Sequence, residues 1–264
     1  MNDPLPAQEH TITEREERPL VLSLFPGIGL LDRGFEETGF CVVRGPDLIF
    51  GGDIKRFSAP EHRFDGIIGG PPCQRFSRLA ALVKHNGFKL AEDLIPEFAR
   101  ITNEVQPHWF LMENVPAAPA PETPGYWQEP VLFNNRWLGE AQNRVRRFTF
   151  GTRDLESAQA FAFALRSEDV GIENPTWIPT VCASGTIWHP TRKGPAGKKN
   201  KSVLKEHIKA QGLPESFELP GFTVVGAIRA VGNGVPIPLA RAVARAVKAA
   251  LECRRGLSTK GQER

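Results

Sequence analysis

The sequence offers no cysteine pair. Cys41, Cys73, Cys182 and Cys253 stand far apart with no CxxC among them. Neither a zinc knuckle nor a disulfide framework is suggested, and a reducing, cytoplasmic setting with no bound metal is the expectation. The sequence also lacks a basic-then-apolar leader in MNDPLPAQEHTITEREERP and any apolar run approaching a membrane span, so no membrane partner is expected and the start of the chain reads as frayed. Charge of one sign is not in excess: the formal net charge is +3, a balance that favours a polyanionic partner only weakly. There is no internal repeat. What remains, at 264 residues, is enough chain for one large α/β domain, alone or with a small insert, around a proper core.

Short apolar runs alternate with helical patterns. LVLSLF (20–25) reads as a buried strand entering the glycine turn PGIG and then a short helix, LLDRGFEETGF, which Gly39 can close. FCVVRG and DGIIGG are further strands. LAEDLIPEFARITNEV sets Leu94, Ile95, Phe98, Ile101 and Val105 along one helical face, and HWFLMEN follows as a strand. This alternation implies a mostly parallel sheet covered on both sides. After RRFTFG (146–151) the rhythm breaks. To about Pro220 the chain is rich in Pro, Gly, Thr and Lys, with one helix over ESAQAFAFALRS and a basic run, RKGPAGKKNKSVLK, that contains no acid. Such a run is either a solvated loop or a set of phosphate contacts. VPIPLARAVARAVKAALE closes the pattern as a strong helix with proline near its start, packed back onto the sheet.

A missing glycine shapes the cofactor reading. A dinucleotide fingerprint needs its third glycine at position 32, where the chain has Asp32; that charge suits the helix dipole but would repel a pyrophosphate, which disfavours a NAD-dependent oxidoreductase. Gly27 and Gly29 still admit a ligand close to the main chain at the end of the first strand. Asp47 after the second strand can accept from ribose hydroxyls and Asp53 in GGDI from an adenine amino group, or both are plain turn formers. S-adenosylmethionine, which has ribose, adenine and a cationic sulfonium but no phosphate, suits this set.

GGPPCQRFS (69–77) stiffens the backbone around a thiol: paired prolines fix two φ angles and remove two amide donors, so Cys73 reads as presented rather than packed away. ENVP ends the HWFLM strand, and a parallel sheet brings Glu113 to the same edge as Cys73, Gly27 and Asp47. QNRVRRF adds Arg144, Arg146 and Arg147; alternation places Arg144 and Arg146 on one side, and an arginine near Cys73 would favour the thiolate. A thiol beside a carboxylate at a cofactor edge points to covalent catalysis.

Together FPGIG, GGPPCQRFS, ENVP, QNRVRRFTFG and VGNGVPIP, in that order, resemble the ordered motif set of the cytosine-5 DNA methyltransferases, over roughly 20–151 and 222–251. The resemblance implies a Rossmann-like α/β methyltransferase fold dependent on S-adenosylmethionine. The catalytic domain would span 19–151 plus 222–252, with a small irregular target-recognition region at 152–221 and flexible tails at 1–18 and 253–264. It implies a bacterial- or phage-type monomer that methylates carbon 5 of a cytosine flipped out of double-stranded DNA. By the resemblance Cys73 is the nucleophile, Glu113 bonds ring nitrogen 3 and the amino group, Arg146 holds the base carbonyl and Arg144 supports the catalytic loop. The implied cofactor pocket comprises Phe25, Gly27, Gly29, Leu30, Asp47, Asp53, Ile54, Pro72, Asn233 and Val235, with Phe25 stacked on adenine and Gly69 and Gly70 admitting the cofactor. Gln74, Ser77, Arg192, Lys193, Lys198 and Lys199 are the candidate DNA contacts. The chain departs from the family in being short between the second strand and GGDI, and in a target-recognition region of which only the end, QGLPESFELPGF, resembles the family. An RNA cytosine-5 methyltransferase and a catalytically silent DNA-binding relative stand as alternatives.

Overall fold

Apolar residues on both faces of short strands dictate a sheet sandwiched by helices, and that is the arrangement found. The computed structural model describes residues 18–76, 91–171, 174–183 and 201–261. In chain order the elements are β1 (Leu20–Leu24), α1 (Leu30–Glu37), β2 (Cys41–Arg44), β3 (Gly66–Gly69), α2 (Ile95–Val105) and β4 (Trp109–Asn114). Then come β5 (Trp127–Asn134), β6 (Gln142–Asn143), β7 (Val145–Thr152), α3 (Leu155–Ser167), β8 (Ile178–Pro179), α4 (Lys201–Ala210), α5 (Val224–Asn233) and α6 (Ile237–Gly261). The central six-stranded sheet has the order β2-β1-β3-β4-β7-β5. The first four of these run parallel. β7 runs against both of its neighbours.

Alternation along β4 shows how the two faces are filled. Trp109 and Leu111 join the cluster made with α1, α3 and α6, whereas Phe110 and Met112 join the cluster made with α2. On α2 the face expected from spacing is the buried one, since Leu94, Ile95, Phe98, Ile101 and Val105 all lie in that second cluster; each such side chain contributes about 1.5–3 kcal/mol on burial. α6 lays Ala240, Ala244 and Val247 against the sheet among larger residues such as Phe35 and Trp109. A third cluster joins Leu30 at the start of α1 to Ile208, Leu213, Val231 and Ile237.

Among the described residues, two helices lie within the stretch 152–221 and pack against the rest of the fold. α3 is part of the main body: Phe161, Ala162 and Leu165 lie in the cluster with the sheet, and Asp154 caps the helix by accepting from the Ser157 amide at 2.7 Å. Its apolar periodicity is blurred in sequence because Phe163 points to solvent. α4 also packs into the body through Ile208. Among the described residues no helix is long and apolar enough to cross a membrane, and no group of three or more side chains could hold a metal ion.

Candidate active site

The C-terminal ends of β1, β3 and β4 share one edge, and the chain leaving β3 there is GPPC. Gly69 pairs with Met112, which puts Gly70 beside Glu113. A Cβ on Gly70 would lie 3.0 Å from Glu113 Oε2, and one on Gly69 would meet the Leu24 carbonyl oxygen at 2.6 Å. Their missing side chains thus make room for the Glu113 carboxylate and a neighbouring strand. Asn114 fixes the next turn by donating to the Pro71 carbonyl at 3.2 Å, and its own oxygen accepts from the Val115 amide at 2.8 Å. Cys73 follows, half-buried, with its carbonyl accepting from the Phe76 amide at 3.0 Å. Arg146 reaches the same place from the far side of the sheet: because β7 is antiparallel, its first residues lie beside the last of β4, and Arg146 Nε sits 3.0 Å from Glu113 Oε1.

On the β1 side, Gly27 adopts φ +54° and its amide donates to Asp47 Oδ2 at 2.8 Å, which draws the carboxylate onto the glycine loop. Asp47 also caps the turn Leu48–Phe50 through Ile49, and Asp53 caps the turn Ile54–Arg56 through Lys55. Both acids are turn formers, and both sit on the segment that faces the end of β1. A cleft of about 170 Å³ opens beside the loop, lined in part by Pro26, Gly27, Arg44, Gly45, Phe50 and Phe222. It is smaller than the ~300–1,000 Å³ that encloses a drug-sized ligand, so it would take only part of a nucleoside. Phe50 and Phe222, edge to face at 6.4 Å across it, were not foreseen. The aromatic Phe50, three positions after Asp47, was the available sequence signal.

The other expected pocket residues divide. Phe25, at φ 55°, and Pro72 are half-buried at the edge, and Asn233 is exposed at the end of α5. Leu30, Ile54 and Val235 are buried in the three clusters, which leaves their main chains to face a ligand. Gly29 is covered by Arg44, whose guanidinium would lie 2.7 Å from a Cβ there. Gln74 is exposed beside Cys73, whereas Ser77, Arg192, Lys193, Lys198 and Lys199 lie outside the described residues.

Arg144 is 2% exposed. Its Nη1 donates to the carbonyls of Val181 at 3.0 Å and Gly232 at 3.3 Å, and its Nη2 to that of Gly234 at 3.0 Å. It braces the turn before α6. The reason is positional: Arg144 lies between β6 and β7, one residue before strand alternation begins. Burial and the neighbouring Arg146 pull its pKa down to about 9, still high enough to keep the cation at neutral pH.

Comparison with known proteins agrees with this geometry. The sequence model of the C-5 cytosine-specific DNA methylases matches residues 49–177. The chain is 26% identical to the Type II methyltransferase M.NgoPII of Neisseria gonorrhoeae, with 88% of this chain and 96% of that protein covered. Over residues 49–177 the chain is similar to the cytosine-5 DNA methylases. It is also 26% identical to the Type II methyltransferase M.FnuDI of Fusobacterium nucleatum, over 88% of this chain and 94% of that one. The solved methyltransferase EhMeth of Entamoeba histolytica shares the fold, with a TM-score of 0.59 at 13% identity, over 89% of this chain and 99% of that one. The M.NgoPII alignment runs over 330 positions, more than the 264 residues of this methylase, so the relative carries stretches that it lacks.

Two features of the methylase's edge had no clear sequence signal. Asp32, buried at the start of α1, accepts from Ser23 Oγ at 2.5 Å and from Arg44 Nε at 2.9 Å, and so ties the ends of β1 and β2 beneath the glycine loop. Burial pushes its pKa up against these donors. The second is the state of the thiol. Burial and the charge of Glu113 push the Cys73 pKa up, and together they outweigh Arg146 and Arg144. The arginines favour the thiolate as expected, but they are outweighed, and the resting enzyme holds Cys73 as the thiol at neutral pH. Glu113→Gln removes one of the two causes, so iodoacetamide should alkylate Cys73 severalfold faster at pH 8 in this variant, measured at that residue by peptide mass spectrometry. Equal or slower alkylation would show that Glu113 does not hold the proton on sulfur.

A larger surface groove, about 560 Å³, lies at the opposite end of α1 among Glu37, Arg241, Arg245 and Lys248. It is remote from every candidate site residue. Its arginines are already paired, Arg241 with Glu37 and Arg245 with Glu168, and it is given no role in the chemistry.

Proposed function

We propose that this chain transfers a methyl group from S-adenosylmethionine to carbon 5 of a cytosine flipped out of double-stranded DNA, with Cys73 as nucleophile and Glu113 and Arg146 holding the base. The observation that carries the reading is the Glu113–Arg146 ion pair, both side chains about one-eighth exposed, beside the half-buried thiol. An acceptor and a planar donor held together in this way match the amino and carbonyl edge of a cytosine ring. S-adenosylmethionine supplies the methyl group as an electrophilic carbon on sulfonium. Asp47, drawn onto the glycine loop, has lone pairs left for ribose hydroxyls, and Asp53 would accept from the adenine amino group.

Cytosine carbon 5 is a weak nucleophile until a thiolate adds to carbon 6. Glu113 would accept from the exocyclic amino group and share a proton with ring nitrogen 3, which spreads its charge onto the base. That removes part of what keeps the proton on Cys73, so substrate binding itself favours the attacking thiolate. Arg146 would donate to the base carbonyl as negative charge builds there. Loss of the carbon 5 proton after methylation then lets sulfur leave. A base inside a duplex cannot reach a sheet-edge pocket, so extrusion is required.

Incubation with tritiated S-adenosylmethionine and either duplex DNA or tRNA tests the assignment, and bisulfite sequencing of plasmid from expressing cells locates the modified cytosines. Label in DNA at cytosines of one sequence context is expected. Label confined to tRNA would make the substrate RNA, and no transfer to either would support a silent relative.

A further inference from the structure

The cofactor wall formed by the turn after α5 is braced by a residue the catalytic reading leaves unused. Gln211 is 0% exposed, and its side-chain amide donates to the carbonyls of Val231 at 2.6 Å and Gly234 at 2.8 Å. Its main-chain carbonyl accepts from the Ile237 amide at 2.9 Å. One residue therefore grips the chain before, within and after Gly232–Asn233–Gly234. Gln211 is held in turn: Gln142 Nε2 donates to its Oε1 at 3.2 Å and to the Ala210 carbonyl at 2.6 Å. Gln142 Oε1 accepts from the Val181 amide at 3.2 Å. The turn has little slack elsewhere. A Cβ on Gly232 would meet the Cys182 carbonyl carbon at 2.7 Å, and one on Gly234 would meet the Leu30 side chain at 2.5 Å.

We infer that Gln211 is a positioning residue for S-adenosylmethionine, setting the position of Asn233 and locking it to Val181 of the target-recognition stretch through Gln142. This rests on the reading of Asn233 as part of the cofactor wall. The physical basis is satisfaction of buried carbonyls. With the amide gone, the Val231 carbonyl is left to the Gly234 amide and the Gly234 carbonyl to Arg144 alone, and the chain that carries Asn233 shifts toward these remaining donors. The sequence placed QGLPESF at the end of the variable region without a task for it, and this is the task its first residue performs.

Gln211→Met keeps the length of the side chain and removes its donors. Cofactor affinity, measured by isothermal titration with S-adenosylhomocysteine on protein that retains its circular dichroism, should weaken roughly tenfold or more. The rate of methyl transfer at saturating cofactor should stay within about threefold, because Cys73, Glu113 and Arg146 are untouched. Gln211→Asn, shorter by one methylene but still a donor, should be folded and intermediate in affinity, and it serves where the methionine variant does not fold. Folded variants that bind like the unsubstituted protein would overturn the assignment. Failure of the unsubstituted protein to bind would remove instead the functional reading beneath it.

Discussion

Cys73→Ser should lose methyl transfer by on the order of a thousandfold or more. It should also form no covalent adduct with DNA containing 5-fluorocytosine, whereas the unsubstituted enzyme is trapped. The fluorine on carbon 5 cannot leave as a proton does, so sulfur once added to carbon 6 stays there. Serine offers an oxygen that holds its proton far more tightly than sulfur, in a site that already opposes ionisation through burial and Glu113. The substitution should spare the fold. Cys73 is half-buried on a loop and belongs to none of the apolar clusters, so melting should shift by no more than about 2 °C. An adduct that survives in the serine variant, seen as a slowed band in a denaturing gel, would move the nucleophile to another residue.

Arg144→Met should do the opposite, damaging stability more than any single change at the edge. Two carbonyl oxygens, from Val181 and Gly232, would lose their side-chain donor inside the protein, and that of Gly234 would keep only Gln211. Leaving such groups unpaired should cost about 3–5 kcal/mol in total, a fall of roughly 6–15 °C in Tm for a domain of this size. Arg144→Lys keeps the charge but gathers the donors on one nitrogen, so it should recover only part of the loss. Calorimetry on the three proteins separates the outcomes. A methionine variant that melts like the unsubstituted protein would mean that the buried guanidinium is replaceable and the turn before α6 is held by Gln211 alone. Catalysis should fall in the methionine variant through the displaced cofactor wall, while the Glu113–Arg146 pair stays in place.

Much of the edge was readable because it rests on local chemistry. Paired prolines and glycines before Cys73, the ENVP turn after an apolar run, and two glycines closing β1 are short-range features whose backbone demands do not depend on the rest of the fold. α2 was equally legible, since its five apolar residues repeat at helical spacing. α3 was harder: exposed Phe163 interrupts its face, and nothing in the segment tells that Phe161 and Leu165 reach the main core. The partners of buried polar groups were harder still. Asp32 could be read as unfavourable to a pyrophosphate, but its bonds to Ser23 and Arg44 join residues 9 and 12 positions away on two different strands. Gln211 and Arg144 meet across even longer separations.

From the sequence alone came the chemical identity of the edge: a stiffly presented thiol, a carboxylate at a strand end, a glycine loop unsuited to pyrophosphate, and the order of motifs that names the family. Tertiary structure alone decided where the arginines go. Arg146 reaches Glu113 only because β7 is antiparallel, and Arg144, two residues earlier, turns into the protein to hold the carbonyls before α6. Proximity within a motif says nothing of direction when one residue precedes a strand and the next lies in it. Strand direction and buried hydrogen-bond partners are set by packing among segments distant in the chain, and only the folded arrangement contains that information.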